Sequence, residues 1–142
     1  MVVLAVDYGY VRTGLAVCDV SETLCSPAGI ITESYMPKVA SKIAEICNEC
    51  CVEKVVVGLP KNMDGTEGEH AEKSRELAAM LRELGLTVDL YDERLTTVVA
   101  HSLLSEAETF GKKRKSAVDQ VAATIILEDY LKSKHLKDLE DK

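Results

Sequence analysis

Hydrophobic residues open this chain as an unbroken run, Val2-Val3-Leu4-Ala5-Val6, which stops at Asp7-Tyr8-Gly9. A continuous, β-branched run bounded by turn residues predicts a central strand covered on both faces, because a strand with one wet face would alternate. A second apolar stretch, Leu15-Ala16-Val17-Cys18, returns after Tyr8-Gly9-Tyr10-Val11-Arg12-Thr13-Gly14. That connection is short enough for a hairpin, so the first two strands should be antiparallel. Gly29-Ile30-Ile31-Thr32 follows a loop containing Ser26-Pro27 and extends the meander to a third strand.

From Pro37 the pattern changes to helical spacing, with Val39, Ile43, Ile46, Cys47 and Cys50 on one face and Lys38, Lys42, Glu45 and Glu49 mostly elsewhere. Pro37 suits a first helical turn, where its missing N–H would have no partner anyway. Lys54-Val55-Val56-Val57-Gly58 is a fourth, buried strand. The turn Asp64-Gly65-Thr66-Glu67-Gly68 leads to a helix from about Glu69 to Leu84, with Ala71, Leu77, Ala78, Leu81 and Leu84 as its core stripe. Gly85 is placed to end it in a left-handed conformation. Thr87 to Tyr91 is a fifth strand, ending at Asp92-Glu93-Arg94. Thr96 or Thr97 can cap a helix to about Ala107, and a glycine-lysine loop precedes a last helix from Ser116 to about Lys132.

The order is βββαβαβαα. Helical crossovers make strands four and five parallel to their neighbours, and the right-handed rule leaves few arrangements. One is an α/β fold with a five-stranded mixed sheet ordered 3-2-1-4-5 and flanked by helices. The 142 residues, 46% of them hydrophobic, suffice for one core and contain no repeat or linker. A single domain over residues 1–142 is expected, with a polar tail from about 133. Nothing at the start of the chain reads as a basic leader or a membrane span of about 20 apolar residues, which points to the cytoplasm.

In that arrangement the carboxyl ends of strands one, four and five open on one edge of the sheet, where ligand sites of open α/β sheets form. The residues there are Asp7, then Gly58-Leu59-Pro60-Lys61-Asn62, then Asp92-Glu93-Arg94. A carboxylate ending a buried central strand is costly unless its charge is offset. A divalent cation with oxygen ligands does this and keeps positions for water and phosphate oxygens. Asp7 and the Asp92-Glu93 pair could share one Mg²⁺ or Mn²⁺ ion or two. Successive strand residues face opposite ways, so only one of Asp92 and Glu93 should face Asp7, and alternation does not say which. Asp119, in the first turn of the last helix before Val121-Ala122-Ala123, either completes the site or complements the helix dipole. Arg12 beside two glycines, and the loop from Gly58 to Gly68, suit contact with phosphate.

Charge and cysteines adjust this picture. A net charge of −7 and a pI near 5.0 argue against a general basic surface, the usual footprint of a nucleic-acid binder. Part of that acidity lies in Asp138 to Asp141, while Lys112-Lys113-Arg114-Lys115 sets four positive charges in consecutive positions near Asp119. The five cysteines, Cys18, Cys25, Cys47, Cys50 and Cys51, read as reduced thiols. Cys47 and Cys50 have the spacing of half a zinc site, with no second half following.

Asp7-Tyr8-Gly9-Tyr10-Val11-Arg12-Thr13-Gly14-Leu15-Ala16-Val17-Cys18-Asp19 resembles the opening motif of the YqgF family, also called RuvX, of Holliday junction resolvase-like or pre-16S ribosomal RNA nucleases. Val57 to Gly68, Asp92 to Thr97, and Lys113-Arg114-Lys115 with Val118 to Ala123 are similar to further motifs of that family, in the same order. The resemblance runs from about Val3 to Leu131, with Cys18 a departure where serine is commoner. It implies a ribonuclease H-like fold and a catalytic, metal-holding set of Asp7, Glu93 and Asp119, and so favours Glu93 over Asp92.

The reading that follows is an endonuclease using Mg²⁺ or Mn²⁺ on structured RNA or branched DNA. Ribosomal RNA maturation comes first and junction resolution second. Arg12, Lys61, Asn62, Arg94, Lys113, Arg114 and Lys115 would contact the nucleic acid, and the chain would act as a monomer or a homodimer. A nucleotide-binding module of the sugar-kinase and actin type needs a second lobe, for which the chain is too short. A non-catalytic adaptor is the remaining alternative.

Overall fold

The structure, a computed structural model, describes residues 1–62, 64–92 and 122–134. The elements are β1 (Val3–Asp7), β2 (Arg12–Cys18), β3 (Cys25–Thr32), α1 (Met36–Glu49), β4 (Lys54–Leu59), α2 (Glu69–Glu83) and β5 (Val88–Asp92). Residues 122–134 form a further helix, α3. The expected helix to Ala107, and the start of the last helix at Ser116, lie outside the described residues.

The sheet order is β3-β2-β1-β4-β5, the expected one among the few arrangements that the connections and their handedness allow. β1 pairs antiparallel with β2 and parallel with β4, while β4 pairs parallel with β5. β1 is central, and the two sides of its apolar run meet separate cores. Leu4 and Val6 join Val39, Ile43, Leu77 and Leu81 under α1 and α2. Val3 and Ala5 join Ala123, Ile126, Leu127 and Leu131 of α3 on the opposite face. Double coverage is therefore why the run does not alternate, and each large aliphatic side chain it buries contributes about 1.5–3 kcal/mol.

Several details differ from the sequence expectation. β3 begins at Cys25, so Pro27 lies within a strand rather than in a loop. β3 is an edge strand, where a missing N–H leaves no ladder bond broken. The register slips between Leu15 and Ala16, which pair with Gly29 and Pro27, leaving Ala28 as the extra residue of a bulge. Gly29 takes the positive φ of +113° there.

α1 ends at Glu49, so Cys50 is an exposed cap instead of a core residue. α2 ends at Glu83, which leaves Leu84 exposed, and Ser74 joins the buried stripe in its place. α3 includes residues 133 and 134, the first two of the expected tail. Its Lys134 pairs with Glu22 at 2.7 Å. Among the described residues no helix is long and apolar enough to cross a membrane.

Candidate active site

Asp7 is the last residue of β1 and is partly buried. Alternation along β1 sets it on the α3 side, with Val3 and Ala5, while Val6 and Tyr8 belong to the α1/α2 core. Its cross-strand partner on β2 is Gly14. On the other side, the pairing of Val6 with Val57 makes Gly58 the next neighbour on β4. Glycines thus stand directly beside the carboxylate on both adjoining strands, and neither of these two positions contributes a side chain.

Arg12 precedes Gly14 by two positions on β2, which sets it on the face of Asp7. It stands in the strand rather than at the hairpin tip. Residues 8–11 make the turn, and Gly9 is required there because a Cβ would overlap the carbonyl oxygen of Arg12. The ring Nε2–H of His70, in the first turn of α2, donates to the Tyr8 carbonyl at 2.6 Å. Tyr8, Tyr10 and His70 form an aromatic cluster, with Tyr10 and His70 centroids 5.1 Å apart. Sequence reading missed this cluster. His70 lies 62 residues from Tyr8, and no local pattern signals a contact of that kind.

At the end of β4, Lys61 pairs with Glu67 as an isolated antiparallel bridge. The side-chain amide of Asn62 donates to Thr66 Oγ1 at 2.9 Å, and Thr66 Oγ1 in turn donates to Asp64 Oδ1 at 2.6 Å. Arg75 grips Glu67 through two hydrogen bonds of 2.6 and 2.7 Å and holds its carboxyl below the usual range. The segment after β4 is a built turn fastened to α2. His70 fastens the same helix to the β1–β2 turn.

Asp92 ends β5 beside Leu59. Leu90 packs with the α1/α2 core and Tyr91 with the α3 core, so alternation gives Asp92 the face opposite Asp7. Glu93, Arg94, Lys113, Arg114, Lys115 and Asp119 lie outside the described residues. Among the described residues no three His, Cys, Asp or Glu side chains gather as a metal site. The direction of α3 is informative. Its carboxyl end meets the amino ends of β1 and β4, through Lys134 to Met1 and Tyr130 to Lys54. The helix therefore enters from the edge where Asp7 stands.

Residues 1–133 match the family RuvX, described as Holliday junction resolvase. A protein of Clostridium novyi (strain NT) is 44% identical over 137 residues, covering 94% of this chain and 99% of its own. One of Caldanaerobacter subterraneus subsp. tengcongensis is 43% identical over 135 residues, covering 94% and 97%. Both are named as candidate pre-16S rRNA nucleases. Among solved structures, Thermus thermophilus RuvC in complex with a Holliday junction substrate superposes with a TM-score of 0.59 at 17% identity, covering 95% of this chain and 96% of that one. The fowlpox virus Holliday junction resolvase gives 0.57 at 11%, covering 94% and 99%. The expected ribonuclease H-like fold is thereby shown, and the chain belongs to the RuvX family.

Proposed function

We propose that this chain is a divalent-metal-dependent endonuclease that hydrolyses phosphodiester bonds of structured nucleic acid, foremost in maturing the 5′ end of pre-16S rRNA. The observation that carries it is Asp7, a carboxylate at the end of the central strand between two glycines, with Arg12 on its face. Family membership and the names of the relatives supply the substrate class.

The donors fit a hard cation. Asp7, Glu93 and Asp119 offer only carboxylate oxygens, the ligands Mg²⁺ and Mn²⁺ prefer. The face of Asp92, opposite that of Asp7, supports Glu93 as the acid of that pair, the choice the family resemblance implies. The entry of α3 from the edge of Asp7 favours Asp119, three residues before residue 122, as the third. When bound, such ions activate a water and stabilise the leaving oxygen of an in-line displacement. The protein's own groups do the positioning. Arg12 neutralises a non-bridging phosphate oxygen beside Asp7. Lys61 and Asn62, on the fastened turn, hold the backbone further along, with Arg94, Lys113, Arg114 and Lys115 extending the track.

The test is cleavage of two substrates by the full chain with Mn²⁺ or Mg²⁺: a 5′-extended 16S rRNA precursor and a four-way DNA junction. Wild type is expected to cut the precursor, and Asp7→Asn to lose at least about a hundredfold in rate, the scale on which removing one positioned electrostatic group slows a transition state. Cutting confined to the junction would favour resolution, the activity named in the family description. Equal rates in both proteins, or cutting without metal, would overturn the mechanism. Inactivity of the wild type on both substrates would leave the adaptor reading.

A further inference from the structure

Tyr8 and Tyr10 flank the glycine of the β1–β2 turn yet have opposite fates. Tyr8 is 5% exposed and joins the α1/α2 core, whereas Tyr10 is 45% exposed beside Val11, itself 56% exposed. Burial accounts for Tyr8 and leaves Tyr10 unexplained. The Tyr10 ring is tilted only 33° from that of His70 at 5.1 Å, so one side of it is backed by a second ring. It meets Tyr8 edge-on at 6.1 Å and 71°. The assembly is fixed from below by the His70 bond to the Tyr8 carbonyl and by the close approach of Gly9 to Arg12. Little side-chain freedom remains to be lost when a flat ligand settles on it.

We infer that Tyr10, backed by His70, is a stacking platform for one unpaired nucleobase within about three nucleotides of the phosphate held at Asp7. This rests on the nuclease reading above. Tyr10 lies three positions after Asp7, so their Cα atoms are within about 11 Å of each other, the chain's maximum reach. That distance spans about three stacked nucleotides. The turn acts as a divider, with Asp7 and Arg12 on the α3 side and the aromatic cluster on the α2 side. A strand crossing the turn keeps its phosphate on one side and lays a base on the other. Stacking accepts any base and needs no positive charge, which suits a chain of net charge −7.

The experiment uses the full chain in an Asp7→Asn background, so that the probe survives. The probe is an RNA hairpin with a single-stranded 5′ extension carrying 2-aminopurine, compared with a blunt duplex. Tyr10 and Tyr10→Phe are expected to bind the extended RNA alike and to quench the fluorophore. Tyr10→Ser is expected to bind it about tenfold more weakly, within the range found for one stacked base, without quenching. Blunt-duplex affinity should be the same in all three. Equal binding and quenching by Tyr10→Ser would overturn the platform while leaving the nuclease reading intact, as would a loss shared with Tyr10→Phe or with the blunt duplex. Absence of binding to either RNA with Tyr10 in place would overturn both.

Discussion

Thr13 is fully buried on β2, and among the described residues its hydroxyl has no hydrogen-bond partner. A buried hydroxyl of that kind forfeits its water without recompense, so an apolar group of the same shape should be better there. Thr13→Val is expected to stabilise the protein by about 1 kcal/mol. The check is a urea titration with a higher midpoint and an unchanged slope. A lower midpoint would mean that the hydroxyl is partnered after all. At this scale Asp7 was legible in the sequence because a carboxylate closing a doubly buried strand is anomalous whatever surrounds it. The glycines beside it were visible as residues but not as neighbours. Only the register brings Gly14 and Gly58 to its flanks, and register is a property of three strands together. His70 was illegible for a similar reason, since its bond to Tyr8 joins two segments whose local patterns are unrelated.

Helix ends show the same division among elements. Gly85 announced the end of α2 because glycine accepts the positive φ of +90° found there. α1 ends by the same device, with the Val52 N–H bonded back to the Cys47 carbonyl and Cys51 at φ +56°. A cysteine at that position carries no such signal, and the sequence pattern accordingly ran one residue too far, to Cys50. α3 is held by a contact that no periodicity predicts. The Tyr130 hydroxyl donates to Asp89 Oδ2 at 2.7 Å and accepts from Lys54 Nζ at 3.1 Å, while Lys54 also pairs directly with Asp89 at 3.1 Å. The hydrogen bond from Tyr130 is the main cause that lowers the Asp89 carboxyl below its ordinary range. The clasp joins α3 to β4 and β5 at the edge away from Asp7. Tyr130→Phe keeps the ring against Tyr91 and the direct ion pair, so it should cost about 1 kcal/mol. A melting midpoint lower by about 3–5 °C, with nucleic-acid cleavage retained, is the expected result. An unchanged midpoint would show that the hydroxyl contributes nothing net.

For the whole molecule, topology was the most legible feature. Connection length decides strand direction, crossover handedness limits the order, and both can be read without any contact. What the sequence left in tension is charge, since a chain of net charge −7 is expected to bind a polyanion. The conflict is resolved only if cations are concentrated where the backbone runs, which sets a measurable scale. The proposed function gives six of them, Arg12, Lys61, Arg94, Lys113, Arg114 and Lys115, to phosphates. Each contact releases a counterion, so log K against log [KCl] should fall with a slope of about −5 on duplex and about −4 on single-stranded RNA. Between 50 and 200 mM salt that is a loss of about a thousandfold on duplex. Replacing Lys113, Arg114 and Lys115 together by Gln should make the duplex slope shallower by about 3, because three of the six contacts go. Titrations in EDTA remove competition from divalent ions and give both slopes directly. If the triple variant keeps the wild-type slope, the basic run does not touch the backbone, and the acidic molecule must bind through the face of Asp7 alone.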